Sequence, residues 1–138
     1  MQKIILVILC VVSSRQQVAC SMKCENLDVW KKSCRLSVEV YKYFKTSKDY
    51  GFKDQITRCS LSIGSNIAEG MEKESAKDRA RFLNISEGSL AELITQIYIG
   101  IEIEYIEKEI GMKWKNELDH ISKMIKNLKK NILEKDSN

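Results

Sequence analysis

The chain has 138 residues, enough for one domain that buries a real core without metal or disulfide staples. It contains no proline and only six glycines, with 43% hydrophobic and 30% charged residues; that balance favours long amphipathic helices over a turn-rich strand fold. The formal net charge of +4 is too small to imply nucleic-acid binding unless the charges cluster.

The first 21 residues differ from the rest. Lys3 precedes the apolar run Ile4 to Val12, and Ser13 and Ser14 follow, which is the outline of a secretory signal peptide. The run is far shorter than the roughly 20 residues a membrane-spanning helix needs. Arg15, Gln16 and Gln17 precede any usable cleavage point, and Gln17 sits where lipoprotein attachment at Cys20 wants an aliphatic residue. The alternative is a start at Met22, which makes residues 1–21 a dispensable extension of a domain spanning 22–138. That alternative implies a cytoplasmic protein; a genuine signal peptide implies an exported one.

The first helix is expected from about Asp28, as N-cap, to about Thr46. At 100° per residue it carries two apolar arcs. One holds Leu27, Trp30, Cys34, Tyr41 and Phe44; the other holds Val29, Leu36, Val40 and Tyr43. Together they cover more than half the circumference, so this helix is expected to touch neighbours on two sides, with the second arc facing another subunit. The remaining sector holds Lys31, Arg35, Lys42 and Lys45.

The second helix is expected over about Phe52 to Glu69, its stripe running Phe52, Ile56, Cys59, Ile63 and Ile67, with Gly70 as a left-handed cap. Ser60, Ser62, Gly64 and Ser65 make a small-residue patch suited to close approach of a neighbouring backbone. The third helix starts at the N-cap Ser75 and continues to about Ile103, its stripe running Leu83, Ser86, Leu90, Leu93, Ile94, Ile97 and Ile101. Gly88 and Gly100 each cost about 1 kcal/mol there relative to alanine, so packing is expected to hold them. The fourth helix follows Leu118, Ile121, Ile125, Leu128 and Ile132 from about Gly111 to Leu133, with Lys123, Lys126 and Lys130 as a second basic row. Short connections make neighbours antiparallel, so the expected fold is an all-α, up-down-up-down four-helix bundle.

Two stretches are recognisable: QITRCSLSIGSNIAEG from Gln55 to Gly70, and RFLNISEGSLAEL from Arg81 to Leu93. Both resemble the four-helix-bundle proteins encoded by intervening sequences in bacterial 23S ribosomal RNA genes. ENLDVW at Glu25 to Trp30 resembles the family's usual start, and Tyr105-Ile106 its last link. The resemblance covers nearly everything from Met22 onward, and the motif positions it marks are Arg58, Asn66, Glu69, Gly70, Gly88, Ser89 and Glu92. This chain has Gly64 where the family commonly has proline, and Glu87 where it often has a basic residue. The resemblance implies a homo-oligomer, commonly a five-membered ring, and relatives that bind nucleic acid. It implies no established enzymatic activity, and the family name records genomic location.

Asn66, Glu69 and Gly70 form the sharpest local motif. One reading makes Asn66 and Glu69 a polar site. The other has Asn66 bonding backbone, Glu69 holding the next turn and Gly70 supplying positive φ. Glu69, Glu72 and Glu74 lack a histidine or nucleophile partner, and the single histidine, His120, falls outside its helix's apolar arc, so no catalytic residue, cofactor or small-molecule substrate is expected. Cys10, Cys20, Cys24, Cys34 and Cys59 include no C-x-x-C pair, and they read as reduced thiols rather than a metal site or disulfide framework.

Charge is unevenly divided. Residues 22–68 hold nine Lys/Arg against five Asp/Glu, residues 69–110 five against ten, and residues 111–138 seven against four. Two functions from different classes follow: an oligomer that binds RNA or DNA through the basic rows, or a protein-interaction scaffold whose lysines keep it soluble.

Overall fold

Each of the four apolar stripes folds as a helix. The structure, a computed structural model, describes residues 22–136. Among them stand α1 (Asp28–Tyr43), α2 (Tyr50–Glu72), α3 (Ala76–Glu102) and α4 (Lys108–Asp136), with no strand. The signal-like segment lies outside the described residues, within which no helix is long and apolar enough to cross a membrane.

Helix ends follow local chemistry. Ser75 caps α3, accepting a hydrogen bond from the Asp78 amide at 3.1 Å. Asp49 caps α2 in the same way, accepting from Phe52 N at 2.9 Å, so α2 starts at Tyr50 rather than Phe52. Asp28 is not the cap of α1: Leu27 occupies that position without a side-chain bond, and Asp28 lies in the first turn, where its charge favours the helix dipole. Nor does Gly70 end α2. It has no positive φ, the helix continues to Glu72, and its missing side chain makes room for Phe82. Gly111 is likewise packing rather than a boundary: α4 begins at Lys108, and a Cβ at Gly111 would lie 2.6 Å from Ile101 Cδ1.

Paired contacts fix the helix directions. Going up α2, Cys59 Sγ donates to Ser89 O (3.0 Å) and Ser86 Oγ on α3 donates to Ile63 O (2.9 Å), while Gly70 meets Phe82. The α1–α2 seam runs the same way, with Ser37 and Ser60 hydroxyls 3.0 Å apart and Gly64 against Cys34. Glu87 pairs with Lys129 while Gly111 meets Ile101, and Trp114 reaches Glu39 while Glu107 reaches Tyr43. Consecutive helices therefore run in opposite directions, and α1 closes the bundle against α4; no Cα atoms of diagonal helices approach within 8 Å, and their side chains share the core between. Between them lie Leu36, Val40, Ile56, Ile63, Ile67, Leu83, Leu93, Ile97, Trp114, Leu118, Ile121 and Ile125.

The two arcs of α1 exchange roles relative to expectation. Val29, Leu36 and Val40 are buried inside the single chain and Tyr43 is partly buried, its ring edge-on to Trp114, so this arc does not face a second subunit. The other arc is the half-open one: Trp30 and Cys34 are partly covered and Tyr41 is exposed. The reason lies in the serines between the arcs. Ser33 and Ser37 face inward, satisfied by Val29 O (2.8 Å) and Ser60, and their small size seats α1 closely on α2.

Candidate interaction faces

The basic row of α1 points outward. Arg35, Lys42 and Lys45 are exposed and Lys31 is partly covered. Among the described residues none of the four has a carboxylate within ion-pair distance. Lysines at the seams behave differently. Lys113 pairs with Glu39 at 3.3 Å, Lys115 with Asp119 at 2.6 Å, and Lys129 with Glu87. The Lys113 pair is exposed and contributes little stability, while Lys129 and Glu87 are partly covered; all three pairs neutralise charge.

On α4, Lys123, Lys126 and Lys130 are all exposed, and Lys130 lies 3.7 Å from Glu134. Lys113 and Trp114 turn toward α1 and Lys129 toward α3. At 100° per residue the α4 row falls on the outward arc nearer the Lys129 side. At the α1–α4 seam Glu39 accepts from Lys113 and Trp114, between the helices that carry the two basic rows.

The motif positions gather along the outer α2–α3 seam. Asn66 Nδ2 donates to Ser62 O (2.8 Å) and Ser62 Oγ (3.0 Å), and the Ser62 and Ser89 hydroxyls stand 2.8 Å apart. The Cys59 thiol reaches Glu92 Oε2 at 3.7 Å. Glu69 faces Lys73 one turn on, at 3.7 Å. Arg58 and Glu92 are exposed. These contacts tie α2 to α3 and leave the motif no chemically reactive pair. Gly88 departs from expectation: it is exposed, and a Cβ there would meet no atom of the described residues within 4 Å, so packing among them does not account for it.

Carboxylates near the α2–α3 turn are similarly engaged. Glu72 accepts from the Lys23 amide at 3.0 Å, tying the segment before α1 to the end of α2. His120 is exposed. No group of three or more His, Cys, Asp or Glu side chains placed to hold a metal ion occurs among the described residues. Cys24, Cys34 and Cys59 are free thiols. Burial pushes Cys34 up to about 11, and burial with the nearby Glu92 carboxylate pushes Cys59 up to about 12, so neither is poised as a nucleophile. Cys10 and Cys20 lie outside the described residues.

Two surface hollows complete the description. A polar one of about 410 Å³ surrounds the α1–α2 connection, where Tyr105 donates to Asp49 Oδ2 at 3.0 Å. That bond and the Phe52 amide hold the Asp49 carboxyl below its ordinary range, the amide contributing more. The other, about 480 Å³, is an apolar groove along the α1–α2 seam between Trp30, Val38 and Tyr41 on one side and Leu61 and Ala68 on the other. Sequence reasoning missed it because Leu61 breaks the α2 stripe and reads as an isolated surface leucine.

The family profile described as 23S rRNA-intervening sequence protein matches residues 25–127. Among solved structures, one is a protein of unknown function from the S23 ribosomal protein family of Bacteroides thetaiotaomicron. It is 29% identical, with a TM-score of 0.69, over 74% of this chain and 98% of that one. No curated protein matches the chain.

Proposed function

Because the chain belongs to the 23S rRNA-intervening sequence protein family, we propose that it works as a non-enzymatic helical bundle that assembles with copies of itself and holds a nucleic-acid backbone, RNA first among candidates. The observation that carries the reading is the contrast between cations. Lys113, Lys115 and Lys129 each have a carboxylate partner, whereas Lys31, Arg35, Lys42 and Lys45 project along one outward face with none among the described residues. Cations spaced three, four and seven residues apart follow a helix face and match a row of phosphates, with counterion release supplying most of the affinity. Lys123, Lys126 and Lys130 form a second exposed row on α4, in which Lys130 has Glu134 as a partner. Copies related by rotation repeat each row and multiply a weak field; the resemblance suggests five copies.

One observation favours the rival scaffold reading, in which only proteins are bound: the apolar α1–α2 groove is suited to side chains rather than phosphates. Gel-shift assays at low salt on RNA and on DNA separate the two. The nucleic-acid reading expects retention that falls steeply with salt and varies little with sequence. Absence of any shift at protein concentrations of tens of micromolar would leave the scaffold.

A further inference from the structure

The exposed apolar side chains of this bundle are not scattered evenly. One set lines the α1–α2 groove, where Tyr41 is 44% and Leu61 51% exposed. A second runs down the outer face of α3 at Ile85, Ile99 and Ile103, with Ile99 49% exposed. At 100° per residue these α3 positions share one side of the helix with Gly88 and Glu92. The two sets sit on different helices, and neither is covered by the described residues.

We propose that the α1–α2 groove of one copy receives the outer α3 face of a second copy, in a head-to-tail contact. This rests on the self-assembly reading above and names the surfaces that would carry it. Three observations point to α3 as the occupant. Charge is complementary where the two surfaces would meet, although α3 as a whole is nearly balanced, with Lys77, Arg79 and Arg81 against Asp78, Glu87, Glu92 and Glu102. Lys42 stands at the groove rim, and the exposed Glu92 and Glu102 border the α3 isoleucines with no ion pair among the described residues. The lengths also agree: Trp30 to Tyr41 spans about 17 Å of helix and Ile85 to Ile99 about 21 Å at 1.5 Å per residue.

Gly88 supplies the third observation. A glycine at an exposed position within a helix costs roughly 1 kcal/mol relative to alanine, and nothing among the described residues requires it. A neighbouring copy that approaches α3 between Ile85 and Glu92 needs the space a side chain would fill. Since donor face and groove are different surfaces, the contact is heterologous. Repetition closes a ring if the rotation allows and continues as a filament if it does not.

The test uses the full chain and analytical ultracentrifugation. Leu61→Glu places a charge in the groove and Ile99→Glu places one on the α3 face. Both sites are exposed, so circular dichroism should match the parent; Tyr41→Glu and Ile85→Glu serve if either fails to fold. Each variant alone is expected as a monomer. Mixed one to one, they should form dimers and nothing larger, because each retains the half of the contact that the other has lost. Variants that keep the parent's size, or a mixture that stays monomeric, would overturn the proposed pair of surfaces while leaving self-assembly standing. A parent chain that is itself monomeric at all concentrations would overturn both.

Discussion

Gly70 on α2 stands so close to α3 that a Cβ at this position would lie 2.9 Å from the Cβ of Phe82 and 3.3 Å from the carbonyl oxygen of Arg79. Both obstacles are rigid, one a first side-chain carbon and the other backbone. Gly70→Ala should therefore force the helices apart and cost about 1–3 kcal/mol, the range for overpacking a filled site. Urea unfolding should show a lower midpoint with an unchanged slope. Gly88→Ala is the control of opposite sign, expected to raise the stability of the unassembled chain by up to about 1 kcal/mol, because there the added methyl meets nothing.

Glu104 is the single non-glycine residue with positive φ among the described residues, at 60°. It follows the cap of α3, where the Glu104 amide donates to Ile101 O (3.1 Å) and the Tyr105 amide donates to Gly100 O (2.8 Å). This pair of bonds closes a helix end in the manner usually reserved for glycine at the left-handed position. The exposed Glu104 side chain is absent from the ion pairs that hold the bundle. Glu104→Gly should raise stability by roughly 1 kcal/mol by removing the left-handed penalty. A thermal melt showing no gain, or a loss, would mean that the Glu104 side chain contributes something the backbone geometry does not reveal.

Much of this fold was legible in the sequence. Period-3.6 stripes located four helices because Ile56, Ile63, Ile67 and Leu90, Leu93, Ile97 recur without interruption and no proline intervenes. The face of α1 was not legible, because the pattern counts Ser33 and Ser37 as polar although both are buried and satisfied by nearby oxygens. That single ambiguity moved Val29, Leu36 and Val40 from an expected subunit contact into the core. Gly70 was misjudged for a related reason: a glycine near a helix end suggests a cap, and only the partner helix reveals that the requirement is space. The basic rows could be placed on their helices from spacing alone. How α1 and α4 turn against each other was not legible there, because the bonds that join them, from Lys113 and Trp114 to Glu39, cross between distant parts of the chain.

The thiols give a pH-dependent expectation. Burial holds Cys34 at about 11 and Cys59 at about 12 against an ordinary value of 9.0, with the charge of Glu92 adding to the effect at Cys59. A raised acid stays neutral in the folded chain while the unfolded chain ionises. Stability should therefore be indifferent to these groups below pH 9 and decline as pH rises from 9 toward 12. At pH 8 the folded Cys34 should hold about a hundredfold less thiolate than a free thiol, and iodoacetamide should label it correspondingly slowly. Labelling of Cys34 and Cys59 at the rate found in urea would show that burial does not protect them.

The two basic rows can be told apart by salt. Each phosphate contact contributes about −0.9 to the slope of log affinity against log salt for duplex DNA and about −0.7 for single strands. A backbone held by all four α1 cations should give a slope of about −3 to −4. Arg35→Gln with Lys45→Gln removes two cations that stand outside the groove and the core, so oligomer size and helicity should stay as in the parent. The slope should then shrink by about 1.4 to 1.8 if the α1 face carries the contact. Lys123→Gln with Lys126→Gln should leave it unchanged in that case, because those cations belong to the other helix and make none of the contacts counted. The reverse pattern would assign the backbone to α4. Equal, partial losses from both pairs would mean that one backbone is held by both rows, within a copy or across neighbouring copies.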